Sequence, residues 1–207
     1  MGGYMKRSVF VIGDSISIQY GPYLQAEISS SFAYDRKQGT EQALKDLNIP
    51  VGANGGDSGM VLAYMREQQQ EGARYDILLL NCGLHDIKTD PVNGSKQVTA
   101  DQYEHHIQQI ASLALGMSNQ VIWIRTTPLI DEVHNELNQS FHRFHKDVID
   151  YNSIADRIMG QHDIPMLDLY TFTLELGPDV YCDHVHFKDE VRKEQAVYIA
   201  KQLLEMV

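Results

Sequence analysis

The distribution of apolar residues constrains the fold of this chain most, because short apolar runs alternate with longer amphipathic stretches along its length. Runs of four to five residues have the length of strands, and the continuous apolar run at residues 77–80 indicates burial on both faces. Strands that alternate with helical stretches form a mostly parallel sheet covered by helices. The pattern therefore predicts an α/β fold. The five predicted strands are residues 8–12, 49–53, 77–80, 121–124 and 166–169.

The amphipathic stretches between these runs predict the helices. No internal repeat, low-complexity tract or long Pro/Gly/Ser linker divides the chain, and 207 residues are enough to enclose one hydrophobic core. We therefore expect a single domain over residues 1–207. The predicted helices are residues 15–30, 60–71, 101–116, a helix within 136–160, and 188–206.

Charge and cysteine content narrow the expected partners and the compartment. The chain has 17 Lys+Arg and 28 Asp+Glu, which gives a formal net charge of −11. An acidic chain lacks the broad positive surface that phosphate binding requires, so nucleic acid is not an expected partner. Two cysteines are too few for a disulfide framework. The apolar run near the start, residues 9–12, is too short for an export signal or a membrane span, so we expect a cytoplasmic protein.

A serine follows directly after the first predicted strand. The sequence there is Gly13-Asp14-Ser15, in which a glycine permits a sharp turn and the serine stands at the start of the next helix. A hydroxyl at a helix N-terminus is exposed next to backbone N–H groups that favour negative charge, which suits a nucleophile. The alternative is structural, because aspartate and serine also cap helices.

A second candidate motif precedes the last predicted helix. Asp183 stands three residues before His186, a spacing that lets the carboxylate reach the imidazole in a turn. A carboxylate in this position would fix the tautomer of the ring and stabilise the imidazolium that forms when the ring takes a proton from serine. A pair of this kind is also common as a purely structural contact.

Two further stretches lie between these motifs. Asn-Gly-Gly-Asp-Ser-Gly covers residues 54–59, and Asn-Cys-Gly-Leu-His-Asp covers residues 81–86. In order, the four blocks resemble those of the GDSL or SGNH hydrolases: a Gly-Asp-Ser turn, a glycine after the second strand, a Gly-x-Asn-Asp stretch and a final Asp-x-x-His. The resemblance spans residues 9–187. It departs at His85, because the family usually has asparagine there.

The resemblance implies a fold, a reaction and a site. The fold would be a three-layer α/β/α sandwich like flavodoxin, with a mostly parallel five-stranded sheet. The reaction would be cleavage of a small-molecule carboxylic ester through an acyl-enzyme, without a metal or other cofactor. Ser15 would be the nucleophile, His186 the general base and Asp183 the residue that orients it. The oxyanion hole would consist of the N–H groups of Ser15 and Gly59 and the side chain of His85.

His85 decides whether this oxyanion hole has a third donor. A neutral imidazole donates through one ring N–H, so histidine can replace the asparagine amide. Its other ring nitrogen then needs a partner, for which Asp86 or a backbone carbonyl is expected. The alternative is that His85 faces away and leaves a site with two donors, or a degenerate one.

The resemblance does not determine the substrate. In such a fold the loops that select it would be residues 19–23, 88–96 and 128–138, which are polar and include no long apolar lid. We therefore favour a short acyl group on a polar alcohol, such as an O-acetylated carbohydrate. The alternatives are a lysophospholipase or thioesterase of the same family, a non-catalytic ligand-binding member and a metal-dependent hydrolase; the oligomeric state is left open. The histidines that a metal could use are His105, His106, His134, His142 and His145.

Overall fold

The sheet confirms the predicted α/β architecture. A computed structural model describes residues 6–207, so the first five residues of the expected single domain lie outside the described part. Five parallel strands pair in the order β2-β1-β3-β4-β5, which is the flavodoxin-like order. The strands are β1 (Ser8–Ile12), β2 (Ala33–Arg36), β3 (Tyr75–Leu80), β4 (Ser118–Ile124) and β5 (Met166–Leu167).

Helices flank this sheet as two packed groups. The helices are α1 (Ser15–Ile28), α2 (Thr40–Ala43), α3 (Ser58–Gln70), α4 (Ala100–Met117), α5 (Asp131–Leu137), α6 (His145–Gln161), α7 (Leu169–Glu175) and α8 (Asp189–Met206). In one group α8 packs against α1 and α7, and in the other α4 packs against α3 and α6. No helix within residues 6–207 is both long enough and apolar enough to cross a membrane.

The second strand was predicted in the wrong place. Residues 49–53 form turns instead, because Pro50 cannot donate a ladder hydrogen bond and Gly52 has a φ of +56°. The real β2 has the sequence Ala-Tyr-Asp-Arg and lies at the sheet edge, paired only with β1. An edge strand is partly exposed and carries polar residues, so it leaves no apolar run in the sequence.

Several other boundaries also differ from the prediction. The helix expected within residues 136–160 is α6, which begins only at His145, and the shorter α5 lies in the loop expected at residues 128–138. The last strand ends at Leu167, and Leu169 already begins α7. Residues 19–23, expected in a substrate-selecting loop, belong to α1. The unpredicted α2 and α7 have only 4 and 7 residues, too few to show a helical period.

Three of the predicted motifs meet at the carboxyl ends of the parallel strands, beyond β1 and β3. The Asn81 N–H donates to the Ile12 carbonyl at 3.0 Å, and the Gly55 N–H donates to the Gly13 carbonyl at 2.9 Å. These bonds join the loops after β1, before α3 and after β3. Parallel α/β sheets hold ligands at the carboxyl ends of their strands.

Candidate active site

Ser15 is the first residue of α1 and 5% exposed. The preceding residue, Asp14, caps the helix by accepting a hydrogen bond from the Ile16 N–H at 2.9 Å. The structural interpretation therefore holds for Asp14, whereas the Ser15 side chain bonds elsewhere. Gly13 permits the tight turn, because a Cβ added there would lie 2.9 Å from the Ser17 side chain.

Ser15, His186 and Asp183 form a continuous hydrogen-bonded chain. The Ser15 hydroxyl lies 2.9 Å from His186 Nε2, and His186 Nδ1 lies 2.7 Å from Asp183 Oδ2. The imidazole is 1% exposed, so its orientation is fixed by the protein. With its proton on Nδ1, His186 donates to Asp183 and presents Nε2 as the acceptor for the serine proton.

The Asp183 carboxylate is held in place by its own loop. Its Oδ1 accepts the backbone N–H groups of Val185 and His186 at 2.9 and 2.7 Å. Partial burial alone would raise the pKa of Asp183, but the bonds from the His186 side chain and from the two N–H groups outweigh burial and lower it. Asp183 is therefore ionised at neutral pH and can stabilise a protonated His186.

His85 lies in a turn beyond the end of β3 and is 2% exposed. Burial, reinforced by the positive charges of Lys88 and Arg143, lowers the pKa of His85 well below its usual value. The ring is therefore neutral. Its Nδ1 atom is enclosed and has no hydrogen-bond partner within residues 6–207. The expectation that Asp86 would hold the ring is wrong.

The Asp86 carboxylate faces α3 instead. Its two oxygens lie 2.9 and 3.1 Å from the Ser58 backbone nitrogen, so it accepts the N–H at the helix start. Burial raises the pKa of Asp86 to about 7. Asp86 thus fixes the relative position of the loop after β3 and the N-terminus of α3.

Arg143, between α5 and α6, is a site residue that the sequence did not reveal. It is 3% exposed, donates from Nε to the Leu84 carbonyl at 2.6 Å, and contacts His134 Nε2 through Nη1 at 3.0 Å. Burial lowers the pKa of Arg143 to about 10, so it stays charged at neutral pH. A positive charge is therefore fixed at the peptide bond that precedes His85.

The structure places Gly59 in the first turn of α3. A Cβ added there would lie 3.3 Å from His106 Cε1, so this α-carbon lies against α4. The residue of the same loop that contacts the turn before Ser15 is Gly55, through its bond to Gly13. The oxyanion role of Gly59 therefore stays a prediction.

The candidate metal histidines contact other groups. His106 pairs with Ser58, His145 with Tyr170 and His134 with Arg143. Among the described residues, one group of three possible ligands lies close together, and it consists of Asp183, His184 and His186. Two of these are the hydrogen-bonded pair described above, and His184 Nε2 instead lies 2.9 Å from Asn48 Oδ1.

Known proteins resemble this chain in fold rather than in sequence. No protein-family model and no curated protein sequence matches the chain. Solved structures do match. An acetyl xylan esterase has a TM-score of 0.67 at 16% identity, covering 97% of this chain and 99% of its own. A carbohydrate acetylesterase from Sinorhizobium meliloti has a TM-score of 0.67 at 13% identity, covering 98% of this chain and 100% of its own. A GDSL-like lipase from Bacteroides thetaiotaomicron has a TM-score of 0.67 at 15% identity, covering 98% of this chain and 89% of its own.

These similarities extend over nearly the whole chain, although sequence identity is low. They agree with the five parallel strands and the flanking helices. The chain therefore has the α/β/α fold of the GDSL/SGNH hydrolases.

Proposed function

We propose that the protein is a serine esterase that hydrolyses carboxylic esters through an acyl-enzyme. The observation that carries the proposal is the unbroken chain of hydrogen bonds from Ser15 through His186 to Asp183. Ser15 attacks the ester carbonyl while His186 takes its proton, and His186 then protonates the departing alcohol. Water attacks the acyl-enzyme in the second half, with His186 again as the base.

The oxyanion formed in each half-reaction needs donors that already point at it. We assign the N–H groups of Ser15 and Gly59 and the ring of His85 to this role. His85 is neutral, and because its Nδ1 is enclosed without a partner, Nε2 is the nitrogen that donates. The charge of Arg143, fixed at Leu84, adds a favourable field for the negative oxygen.

We further propose a short acyl group on a polar alcohol, such as an O-acetylated carbohydrate. Two observations support this choice. The groove formed by residues 88–90, 95–97 and 140–141 is lined mainly by polar side chains. Two of the similar solved structures are described as an acetyl xylan esterase and a carbohydrate acetylesterase, although others are described as lipases.

The test is a series of 4-nitrophenyl esters from acetate to decanoate, measured with the wild type and with Ser15→Ala. We expect kcat/KM to be highest for acetate and to fall with chain length, and Ser15→Ala to lose at least about 10³-fold in kcat. A preference for long chains would favour the lysophospholipase alternative. Unchanged activity in Ser15→Ala would exclude the proposed mechanism.

A further inference from the structure

An open groove of about 320 Å³ lies between the loop that follows the His85 turn and the segment that precedes α6. Two lysines and one aspartate supply its charges, and the other lining side chains are polar or aromatic. The lining residues are Lys88, Thr89, Asp90, Ser95, Lys96, Gln97, Ser140 and Phe141.

Two of the three charged groups in the groove are already engaged. Lys96 Nζ lies 2.8 Å from an oxygen of Asp147, which forms a salt bridge. Asp90 Oδ1 accepts the N–H groups of Val92 and Asn93 at 2.7 and 3.1 Å, so it caps its own loop. Neither group is available to neutralise a ligand of the opposite charge without first losing these contacts.

Lys88 differs from both. It is half-buried, and no carboxylate in the part of the chain that the structure describes lies within salt-bridge distance of its ammonium. Its one hydrogen bond to residues 6–207 is a long one, 3.4 Å to the Asn48 carbonyl, and Nζ lies 4.5 Å from the centre of the Phe141 ring. Burial lowers the pKa of Lys88 to about 8; the more distant charges that act on it are Arg143, Asp57 and Asp46. The ammonium remains charged at neutral pH and partly desolvated, and none of the described carboxylates is its counter-ion.

Lys88 lies on the side of the catalytic histidine. Asn48 joins Lys88 to His184, because the Asn48 carbonyl accepts from Lys88 and the Asn48 side chain bonds His184. The His184 ring centre is 5.9 Å from that of His186. In the proposed mechanism His186 protonates the departing alcohol, so the alcohol half of the ester leaves on this side of the site. Lys88 is thus connected to His186 through Asn48 and His184, and we place the alcohol half of the ester on this side.

We propose that the groove binds the alcohol half of the ester and that Lys88 pairs with an anionic group on it, a carboxylate or a sulfate. The substrate class is then an acetylated acidic sugar rather than a neutral one. Lysine is a point charge and pairs with either anion, whereas the bidentate geometry of arginine would favour specific ones. This inference rests on the proposed esterase function.

The test uses three acetyl esters that differ only in the charge of the sugar: a methyl hexopyranoside, its uronic acid analogue and its sulfated analogue. We expect the wild type to hydrolyse at least one anionic ester about tenfold more efficiently in kcat/KM than the neutral ester, the effect of one charge-assisted contact reduced by solvent. Lys88→Met and Lys88→Gln should abolish this preference, so that kcat/KM for the anionic esters falls to the value that the same variant shows for the neutral ester. Lys96→Met is the matched control, because Lys96 lines the same groove but is already paired, and it should keep the preference.

Two results would overturn the inference. One is equal efficiency on all three esters in the wild type; the other is the same loss of preference in Lys96→Met as in the Lys88 variants. In either case, hydrolysis of the neutral ester that depends on Ser15 would leave the esterase proposal standing. No hydrolysis of any ester would instead count against the proposed function. The preferred anion separates a uronate-type substrate from a sulfated one.

Discussion

Replacing His85 by alanine should slow the chemical step and leave substrate binding nearly unchanged. The ring is 2% exposed and neutral, and because its enclosed Nδ1 has no partner among residues 6–207, Nε2 is the proposed donor. A donor of this kind contributes chiefly when charge develops on the carbonyl oxygen. Removing one oxyanion donor typically costs about 10²- to 10³-fold in kcat, or about 2.7–4 kcal/mol. We therefore expect His85→Ala to lower kcat by that factor with KM within about twofold.

The assay is steady-state hydrolysis of 4-nitrophenyl acetate by the wild type, His85→Ala and His85→Asn. Asparagine restores an N–H donor, so His85→Asn should recover much of the lost kcat. Because His85 is uncharged, His85→Asn should also leave the shape of the pH profile of kcat unchanged. Thermal unfolding of each variant controls for the cavity that alanine leaves. If His85→Ala keeps full kcat, or if only KM rises, His85 is not an oxyanion donor.

Three further predictions concern the charged residues around the site. Asp183→Asn should lower kcat by about 10⁴-fold in the same ester assay, because the amide no longer holds His186 in the productive tautomer; a loss below tenfold would contradict this role. Arg143→Met should lower the free energy of unfolding in urea by about 2–4 kcal/mol, since two buried acceptors lose their donor, whereas the exposed Arg157→Met should cost under about 1 kcal/mol. Equal losses of unfolding free energy in Arg143→Met and Arg157→Met would refute this prediction. The preference for an anionic ester should disappear as the pH rises through about 8, where Lys88 loses its proton; a ratio constant from pH 6 to 10 would exclude Lys88 as its source.

The sequence predicted those parts of the fold that a local pattern determines. The central strands β1, β3 and β4 are buried on both faces, so each leaves a continuous apolar run. The edge strand β2 is half exposed and leaves no such signal, whereas the stretch at residues 49–53, which contains Pro50, is apolar without forming a strand. Short helices such as α2 and α7 depend on tertiary contacts, which a period of 3.6 residues cannot reveal.

The catalytic candidates were found from the sequence because each motif is contiguous and the motifs come in a familiar order. The residues that surround these candidates in space could not be predicted from the sequence. Arg143 contacts a carbonyl 59 residues away, and His184 bonds Asn48 across 136 residues. Contacts of this range depend on loop packing and leave no spacing rule in one sequence. The stretch at residues 54–59 contains three glycines, and the sequence alone does not determine which N–H faces the nucleophile.

The most direct test of the account is intact-mass measurement after exposure to a fluorophosphonate, with the wild type and Ser15→Ala side by side. The proposed site predicts one covalent adduct on the wild type and none on Ser15→Ala, because the proposed base, His186 Nε2, lies 2.9 Å from this hydroxyl. A wild type that stays unlabelled under conditions that label a known serine esterase would contradict the central claim. So would an adduct of equal yield on Ser15→Ala.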